Sequence, residues 1–445
     1  MTKLFGTDGI RAVAGEYPLD PPSIRALGIA LASLLREEGL DPRVIVGRDT
    51  RESGAWMERE LVHGFREGGG DAVPAGILPT SAVSYLTRKH AFAAGIVLSA
   101  SHNPFHDNGI KIFSSAGTKI GEAWEARLED AILRGGETGR SDGPSAPVRT
   151  DFVEEYATFL ESLFPAALRP ARLRVVLDCS NGASSAVAPR VFRDLGFEVV
   201  PIHDAPDGKN INLDCGSLHP RSLAAKVRET GAAFGVAYDG DADRAVWADE
   251  TGRVLNGDHT LFAQAALMSE GGRLRSGKVV ATSMSNMGLE IALRERGIEL
   301  VRTKVGDKYV LEEMVRLGAN LGGEQSGHTI FLDDCPTGDG ILTSLRMAEA
   351  MIARRTPLSG LVAGWEEYPQ ILLNVKVARK AAFDEFPEIP RAFGEIRDAL
   401  GANGRLDLRY SGTEPLARVM VEGRDRGEIE KHANRLAAIL RKYLA

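Results

Sequence analysis

The sequence predicts an α/β fold, with three similar α/β domains of mixed, mostly parallel sheets followed by a smaller C-terminal α+β domain. This rests on three observations. Strand-like apolar runs alternate with helix-like stripes through most of the 445 residues, the βαβ rhythm of a helix-covered sheet. The rhythm restarts after the Gly-, Ser- and Pro-rich stretch Gly135 to Pro147, which reads as a linker, and again near Lys278. The last part of the chain instead groups three strand-like runs with only two helices, which suits an antiparallel sheet. The length fits about three or four domains. The expected boundaries are 1–150, 151–253, 254–367 and 368–445.

The elements follow in order. Ile24, Leu27, Leu31, Leu34 and Leu35 make one helical stripe, with Ser23 placed to cap its start and Gly39 to stop it. Val44 to Val46 reads as a strand, 54–68 as a helix, and Gly95 to Leu98 as a buried strand. Beyond the linker, Leu173 to Asp178 is a strand, Ser184 to Leu195 a helix and Phe197 to Val200 a strand. Phe234 to Tyr238 and Ala245 to Trp247 form a strand pair, and Lys278 to Ala281 opens the third round. Ile371 to Val377, Arg405 to Arg409 and Arg418 to Val421 are the closing strands, with helices near 386–399 and 426–443.

A composition of 43% hydrophobic and 26% charged residues is enough for real cores. The net charge of -7 excludes a global attraction for nucleic acid or anionic membrane, so an anionic substrate needs local cations and backbone N–H groups. Cys179, Cys215 and Cys335 are odd in number and far apart, which argues against a disulfide framework or a zinc cluster and fits a reducing compartment. The opening MTKLFGTDGIR meets charge and glycine too early for a secretory signal. No apolar run approaches the ~18 residues of a membrane span. A cytoplasmic enzyme is expected.

Four loops could carry chemistry. Ser99-Ala100-Ser101-His102-Asn103-Pro104 follows the strand ending at Leu98 and would put Ser101 where open α/β sheets bind ligands. A serine becomes a nucleophile only with a base, a metal or a positive field to help it, and an ordinary turn has the same composition. Asp239-Gly240-Asp241-Ala242-Asp243-Arg244 sets three mutually repelling carboxylates on alternate residues, hard oxygen ligands suited to Mg²⁺ or Ca²⁺. An EF-hand is excluded because Arg244 holds the glycine position and both flanks read as strands. A solvated acidic turn is the rival. Gly322 to His328 offers Glu324, Gln325, Ser326 and His328 for sugar-type hydrogen bonds, or simply a satisfied histidine. Arg409-Tyr410-Ser411-Gly412-Thr413-Glu414-Pro415, with Arg418 beyond, has the hydroxyls, amides and guanidinium groups of a phosphate cradle, or of a plain strand turn. Together the four loops describe phosphoryl transfer on a sugar phosphate.

These loops, with Phe5 to Arg11, Asp178 to Gly182 and Pro206 to Asn212, resemble the α-D-phosphohexomutase superfamily over nearly the whole chain. Gln325 and the Phe5–Arg11 opening are similar to its glucosamine-phosphate branch. The resemblance implies four domains around one central cleft. It implies that Ser101 becomes a phosphoserine, and that Asp239, Asp241 and Asp243 bind Mg²⁺ with an oxygen of the Ser101 phosphate. It places Arg11, Lys111 and His328 near the transferring group and proton. Arg244 is expected among the substrate-binding residues, where its charge softens the negative field of three aspartates and a phosphate. Glu324 and Ser326 would grip the sugar, and Arg409, Ser411, Gly412, Thr413 and Arg418 would clamp the other phosphate. Lys308 departs from the arginine that relatives often carry, and an ammonium cannot reproduce a guanidinium fork. The implied reaction converts glucosamine 6-phosphate to glucosamine 1-phosphate through a 1,6-bisphosphate, supplying amino-sugar nucleotide and cell-wall precursor synthesis. A small sugar phosphate would be the partner, with monomer and homodimer both open. A phosphomannomutase/phosphoglucomutase, a metal-dependent phosphoserine phosphatase and a non-catalytic sugar-phosphate sensor are the alternatives.

Overall fold

A computed structural model describes residues 3–134, 147–170, 172–401, 404–411 and 415–444. The expected linker therefore lies, except for Pro147, outside the described residues. The chain divides into two compact units, Met1–Thr282 with Thr303–Ala363, and Ser283–Arg302 with Gly364–Ala445.

The first unit holds three mixed sheets. In the first, β1 (Phe5–Gly6), β2 (Gly9–Val13), β3 (Arg43–Arg48), β4 (Asp71–Ile77), β5 (Ala94–Leu98) and β6 (Asp107–Ser114) run in the spatial order β1-β2-β6-β5-β3-β4. Strands β3, β4 and β5 are parallel, and β6 turns back antiparallel on β5. The second sheet contains β7 (Arg174–Asp178), β8 (Glu198–Ile202), β9 (Phe234–Tyr238), β10 (Ala245–Asp249) and β11 (Val254–Leu255), ordered β11-β10-β9-β7-β8. Its centre, β8, β7 and β9, is parallel, and β9–β10 is an antiparallel hairpin. In the third round β12 (Lys278–Thr282) is followed by β13 (Glu299–Thr303), all but the last residue of which falls in the second unit, then by β14 (Leu321–Gly323) and β15 (Thr329–Phe331). There β12 pairs β14 in parallel and β14 pairs β15 antiparallel. Each sheet thus has parallel pairing and an antiparallel turn-back, and the candidate loops leave the ends of parallel strands. The interior residues of β5 are all buried, as a strand covered on both faces requires.

Two details differ from the sequence expectation. The first helix runs Pro21–Glu37 and is capped by Asp20, whose Oδ1 accepts the Ser23 N–H at 2.9 Å. Prolines at the first helical positions start the helix before Ser23. The expected helix Ser184–Leu195 is a 3₁₀ turn, Ala183–Ala186, followed by Ala188–Asp194. Pro189 sits in the first turn of the second piece, where its missing N–H costs nothing.

The second unit contains β16 (Gln370–Lys376), β17 (Gly404–Tyr410) and β18 (Leu416–Gly423), an antiparallel sheet in the order β16-β18-β17. Helices Glu388–Leu400 and Arg426–Leu444 cover it, and Val375, Ile389, Ile396, Val419, Val421, Leu436 and Leu440 share one core. Glu422 is fully buried and paired with Arg405 at 2.8 Å, while its other oxygen accepts the Met287 N–H at 2.9 Å.

Candidate active site

Ser101 leaves the end of β5 in the left-handed region, φ +52°, a conformation a non-glycine residue holds only when its surroundings over-determine it. Those surroundings are visible. Ser101 N–H donates to Ser99 Oγ at 2.9 Å, and Ser99 Oγ donates to the buried Asp49 at 2.6 Å. The fully buried Arg51 pairs with Asp49 and donates to three loop carbonyls, Ser101 O at 3.2 Å, Asn103 O at 2.7 Å and Asp107 O at 2.9 Å. Asn212 reaches in to donate to Ser101 O at 2.9 Å and Asn103 O at 3.0 Å. The hydroxyl is thereby aimed at Asp239, to whose Oδ2 it donates at 2.5 Å. His102 Nδ1 lies 3.3 Å from the same Oγ. Burial, then the charges of Arg244 and Arg11, push His102 down to about 4, so the ring is neutral at ordinary pH.

Asp239, Asp241 and Asp243 are buried, and one oxygen of each lies within 4.8 Å of the other two. Asp241 Oδ2 accepts from Thr80 Oγ1 at 2.5 Å and Lys111 Nζ at 2.8 Å. The Oδ1 atoms of Asp241 and Asp243 are buried without a hydrogen-bond partner. Unpartnered buried carboxylate oxygens converging with a third carboxylate are what a hard cation needs, so the residues fit Mg²⁺. Burial, then Asp243 and Asp241, hold the Asp239 carboxyl well above its usual range. Burial acts the same way on Asp243, but Lys111, His328 and Arg244 outweigh it and its carboxyl stays well below. The loop favours one proton on Asp239 or one added cation.

Cations surround this cage. Lys111 is buried, 3.3 Å from Asp243 and 3.1 Å from Asp8 as well as bound to Asp241. Burial opposes its charge, yet Asp241, Asp8 and Asp243 raise it well above the usual lysine value. Asp8 also binds Arg11 and Lys119, and Lys119 continues to Asp307 at 2.6 Å. Arg244 Nε stands 3.9 Å from Asp239 and 3.8 Å from Asp243. The sugar-type loop joins here too, through a backbone bridge between Arg244 and His328 and a bond from Ala245 N–H to Gly327 O at 3.1 Å. His328 Nδ1 is 3.7 Å from Asp243 and its Nε2 accepts the Gly338 N–H at 3.0 Å. Burial disfavours its charge, but Asp243, Asp307 and Glu324 would together raise it to about 9. Glu324 is half-buried and accepts the Gly306 N–H at 3.2 Å, and Ser326 is exposed. Lys308 binds Glu125 at 3.3 Å.

Thus Ser101, Arg11, Lys111, the three aspartates, Arg244, Glu324 and His328 gather in the first unit. In the second, Arg409 and Arg418 face each other across β17 and β18, and Arg418 donates to Ser411 Oγ at 3.4 Å. Gly412 and Thr413 lie outside the described residues. The sequence reading assigned no role to Asp8, Asp49, Arg51, Thr80, Lys119, Asn212 or Asp307. Asp8 and Asn212 lie inside the Phe5–Arg11 and Pro206–Asn212 stretches, a usable signal. Thr80 and Lys119 had none, since their partners are Asp241 and Asp307 far along the chain.

Three mixed sheets, an antiparallel C-terminal sheet and a serine set against three carboxylates are features of a phosphohexomutase-type enzyme, and known proteins match in the same order. The four domain families of phosphoglucomutase/phosphomannomutase match in order: α/β/α domain I at residues 2–138, domain II at 151–252, domain III at 256–368 and the C-terminal domain at 372–439. The chain belongs to the phosphoglucomutase/phosphomannomutase family. It is 46% identical to the phosphoglucosamine mutase of Solibacter usitatus, covering 99% of each chain. It is 44% identical to that of Geobacter sp. strain M21, over 100% of this chain and 99% of that one. A crystal structure of a phosphoglucomutase/phosphomannomutase family protein from Burkholderia thailandensis matches with a TM-score of 0.81 at 25% identity, covering 99% of this chain and 98% of that one.

Proposed function

We propose that the chain interconverts glucosamine 6-phosphate and glucosamine 1-phosphate, with Ser101 carrying the phosphoryl group between sugar oxygens. The observation that carries this reading is the Ser101 hydroxyl, fully buried and hydrogen-bonded to Asp239 inside a three-carboxylate cage. The names of the relatives supply the substrate class.

In the first half-reaction the phosphoserine Oγ–P bond breaks and a P–O1 bond forms, giving a 1,6-bisphosphate while the O1 proton ends on the freed Ser101 Oγ. After the bisphosphate turns within the site, Ser101 Oγ attacks the phosphorus on O6. The O6–P bond breaks, O6 takes up the proton that Ser101 Oγ gives up, and glucosamine 1-phosphate remains. Asp239, Asp241 and Asp243 would hold Mg²⁺, which supplies Lewis-acid neutralisation of the phosphoryl oxygens. Lys111, Arg244 and Arg11 add fixed positive charge around the transferring group, where preorganised electrostatics does most of the work of phosphoryl transfer. Glu324 and Ser326 hydrogen-bond sugar hydroxyls, while Arg409, Ser411, Gly412, Thr413 and Arg418 hold the phosphate that is not reacting. The burial of Ser101 keeps water from the phosphoserine. Three buried free cysteines are consistent with action in the reducing cytoplasm.

The test is mass spectrometry of purified protein for phosphate on Ser101, with turnover of the Ser101→Ala variant. The expected loss is on the order of 10³-fold or more. Near-normal turnover in that variant would remove the covalent route. Release of inorganic phosphate in place of isomer would make the chain a phosphatase. Faster turnover of mannose or glucose phosphates would move it to another branch of the family.

A further inference from the structure

We infer that Asp178, His203 and Cys215 form a second cation site, built for a soft divalent ion such as Zn²⁺. Asp178 ends β7, and His203 follows β8 directly, whose Ile202 is the parallel partner of Asp178. Cys215 comes from the loop that leads to the helix Arg221–Thr230. One ligand atom of each residue lies within 4.8 Å of the other two. His203 Nδ1 is 3.0 Å from Asp178 Oδ1, and that carboxylate, by contact and charge, raises the imidazole above its usual value; the buried Nδ1 has no other partner. A nitrogen and an oxygen bound to one tetrahedral zinc stand about 3.3 Å apart, given bonds of about 2.0–2.1 Å. The pair is therefore close to the spacing of neighbouring ligands, and an ion between them would replace the proton they share without the ion.

The surroundings orient the ligands in the way metal sites require. Ser180 N–H donates to Asp178 Oδ1 at 2.9 Å and Gly216 N–H to Oδ2 at 3.0 Å, fixing the carboxylate. Asn181 Nδ2 lies 4.0 Å from Cys215 Sγ, a donor toward the thiolate. Asp178 and Cys215 are buried, while the His203 side chain is 31% exposed and leaves an entry path. Sulfur, imidazole and carboxylate together suit zinc, and the hard Mg²⁺ does not take thiolate. Binding replaces the thiol proton, Cys215–SH plus Zn²⁺ giving the zinc thiolate and H⁺. Asn212, which holds Ser101 O, belongs to the same loop, so an ion here braces the arm that supports the serine.

The test uses the full chain in saturating Mg²⁺, with Co²⁺ as a spectroscopic probe and Zn²⁺ as competitor. One equivalent of Co²⁺ is expected to give a near-ultraviolet thiolate-to-cobalt absorption that Zn²⁺ abolishes, since an all-carboxylate site gives none. Cys215→Ser should lose that band, and His203→Gln should weaken Zn²⁺ binding by about 10–100-fold or more. Melting curves check that each variant folds; if Cys215→Ser does not, the half-exposed His203→Gln decides. No thiolate band in the parent overturns the site. So does a band or a Zn²⁺ affinity that persists unchanged in the folded variants, which would assign it to Cys179 or Cys335.

Discussion

Replacing Gly240 by alanine probes the spacing between the serine and its cage. A β-carbon there would lie 2.5 Å from Ser101 O, 2.8 Å from the Ile211 side chain and 3.0 Å from Asn212 Nδ2. Carbon–oxygen contacts begin near about 3.3 Å, so roughly 0.8 Å has to be found. The aspartate loop cannot retreat. Gly182 closes on it from behind, with its own β-carbon position 2.4 Å from Gly240 O, and Ala183 N–H donates to that oxygen at 2.8 Å. Ser101 O is held in turn by Arg51 and Asn212. Gly240 does not use the left-handed backbone region, so the perturbation is steric alone. Ser101 and Asp239 must separate by a good part of the overlap. A misplacement of about 1 Å costs on the order of 10²-fold in rate, and the strain should cost about 1–3 kcal/mol of stability. Steady-state kinetics on glucosamine phosphates should show kcat down about 10²-fold with a small change in KM, since Glu324 and Ser326 sit on another loop. Gly121→Ala, whose β-carbon meets nothing within 4 Å, is the control. A folded Gly240→Ala protein turning over at the parent rate would refute the idea that this spacing sets the chemistry.

Asp241→Asn removes an unpartnered oxygen from the cage while keeping its volume; the Mg²⁺ concentration for half-maximal activity should rise at least ~10-fold with kcat falling, and an unchanged magnesium titration counts against the cage. Asp339, which caps the helix Gly340–Arg354 and accepts the Tyr156 hydroxyl at 2.6 Å, is raised from 3.8 to about 6, chiefly by burial. A raised folded pKa means the folded chain holds the proton more tightly, so this contribution is full below pH 3.8 and is lost as pH climbs through about 6. Asp339→Asn has no such loss and should gain stability relative to the parent between about pH 4 and 7, by up to about 3 kcal/mol for the roughly two-unit shift; parallel melting curves at every pH would contradict it. Gly394→Ala, in the middle of the helix Glu388–Leu400 and facing open space, should raise stability by about 0.5–1 kcal/mol in denaturant melts, and a loss would show that the site is crowded.

The reactive loops were legible because each is a run of polar residues placed just after an apolar strand, so chemistry and position coincide within a few residues. Ser101 and the three aspartates are of this kind, and so is the Glu324–His328 loop. What positions them was not legible. Arg51 reads as an ordinary surface arginine, yet it is buried to its last atom against loop carbonyls some fifty positions on. Thr80 opens a helix at Thr80–Lys89 and looks like a cap residue, but its hydroxyl is spent on Asp241. Local signals place a helix start only to within a few residues: Ser23 is the cap the stripe suggests, but Pro21 and Pro22 begin the helix earlier and leave the cap to Asp20. Contacts between residues a hundred positions apart leave no trace in periodicity or turn chemistry.

The carbonyls of Ser101 and Asn103 are each held twice, by Arg51 from the opening stretch of the chain and by Asn212 from well beyond residue 150. Reactivity here is therefore joint property. A truncated product ending near residue 150 would keep the strands of the first sheet and still lack half the grip on its nucleophile. Splitting the gene between these segments offers a natural place for a reconstitution switch, in which joining the halves restores a loop that neither can shape alone.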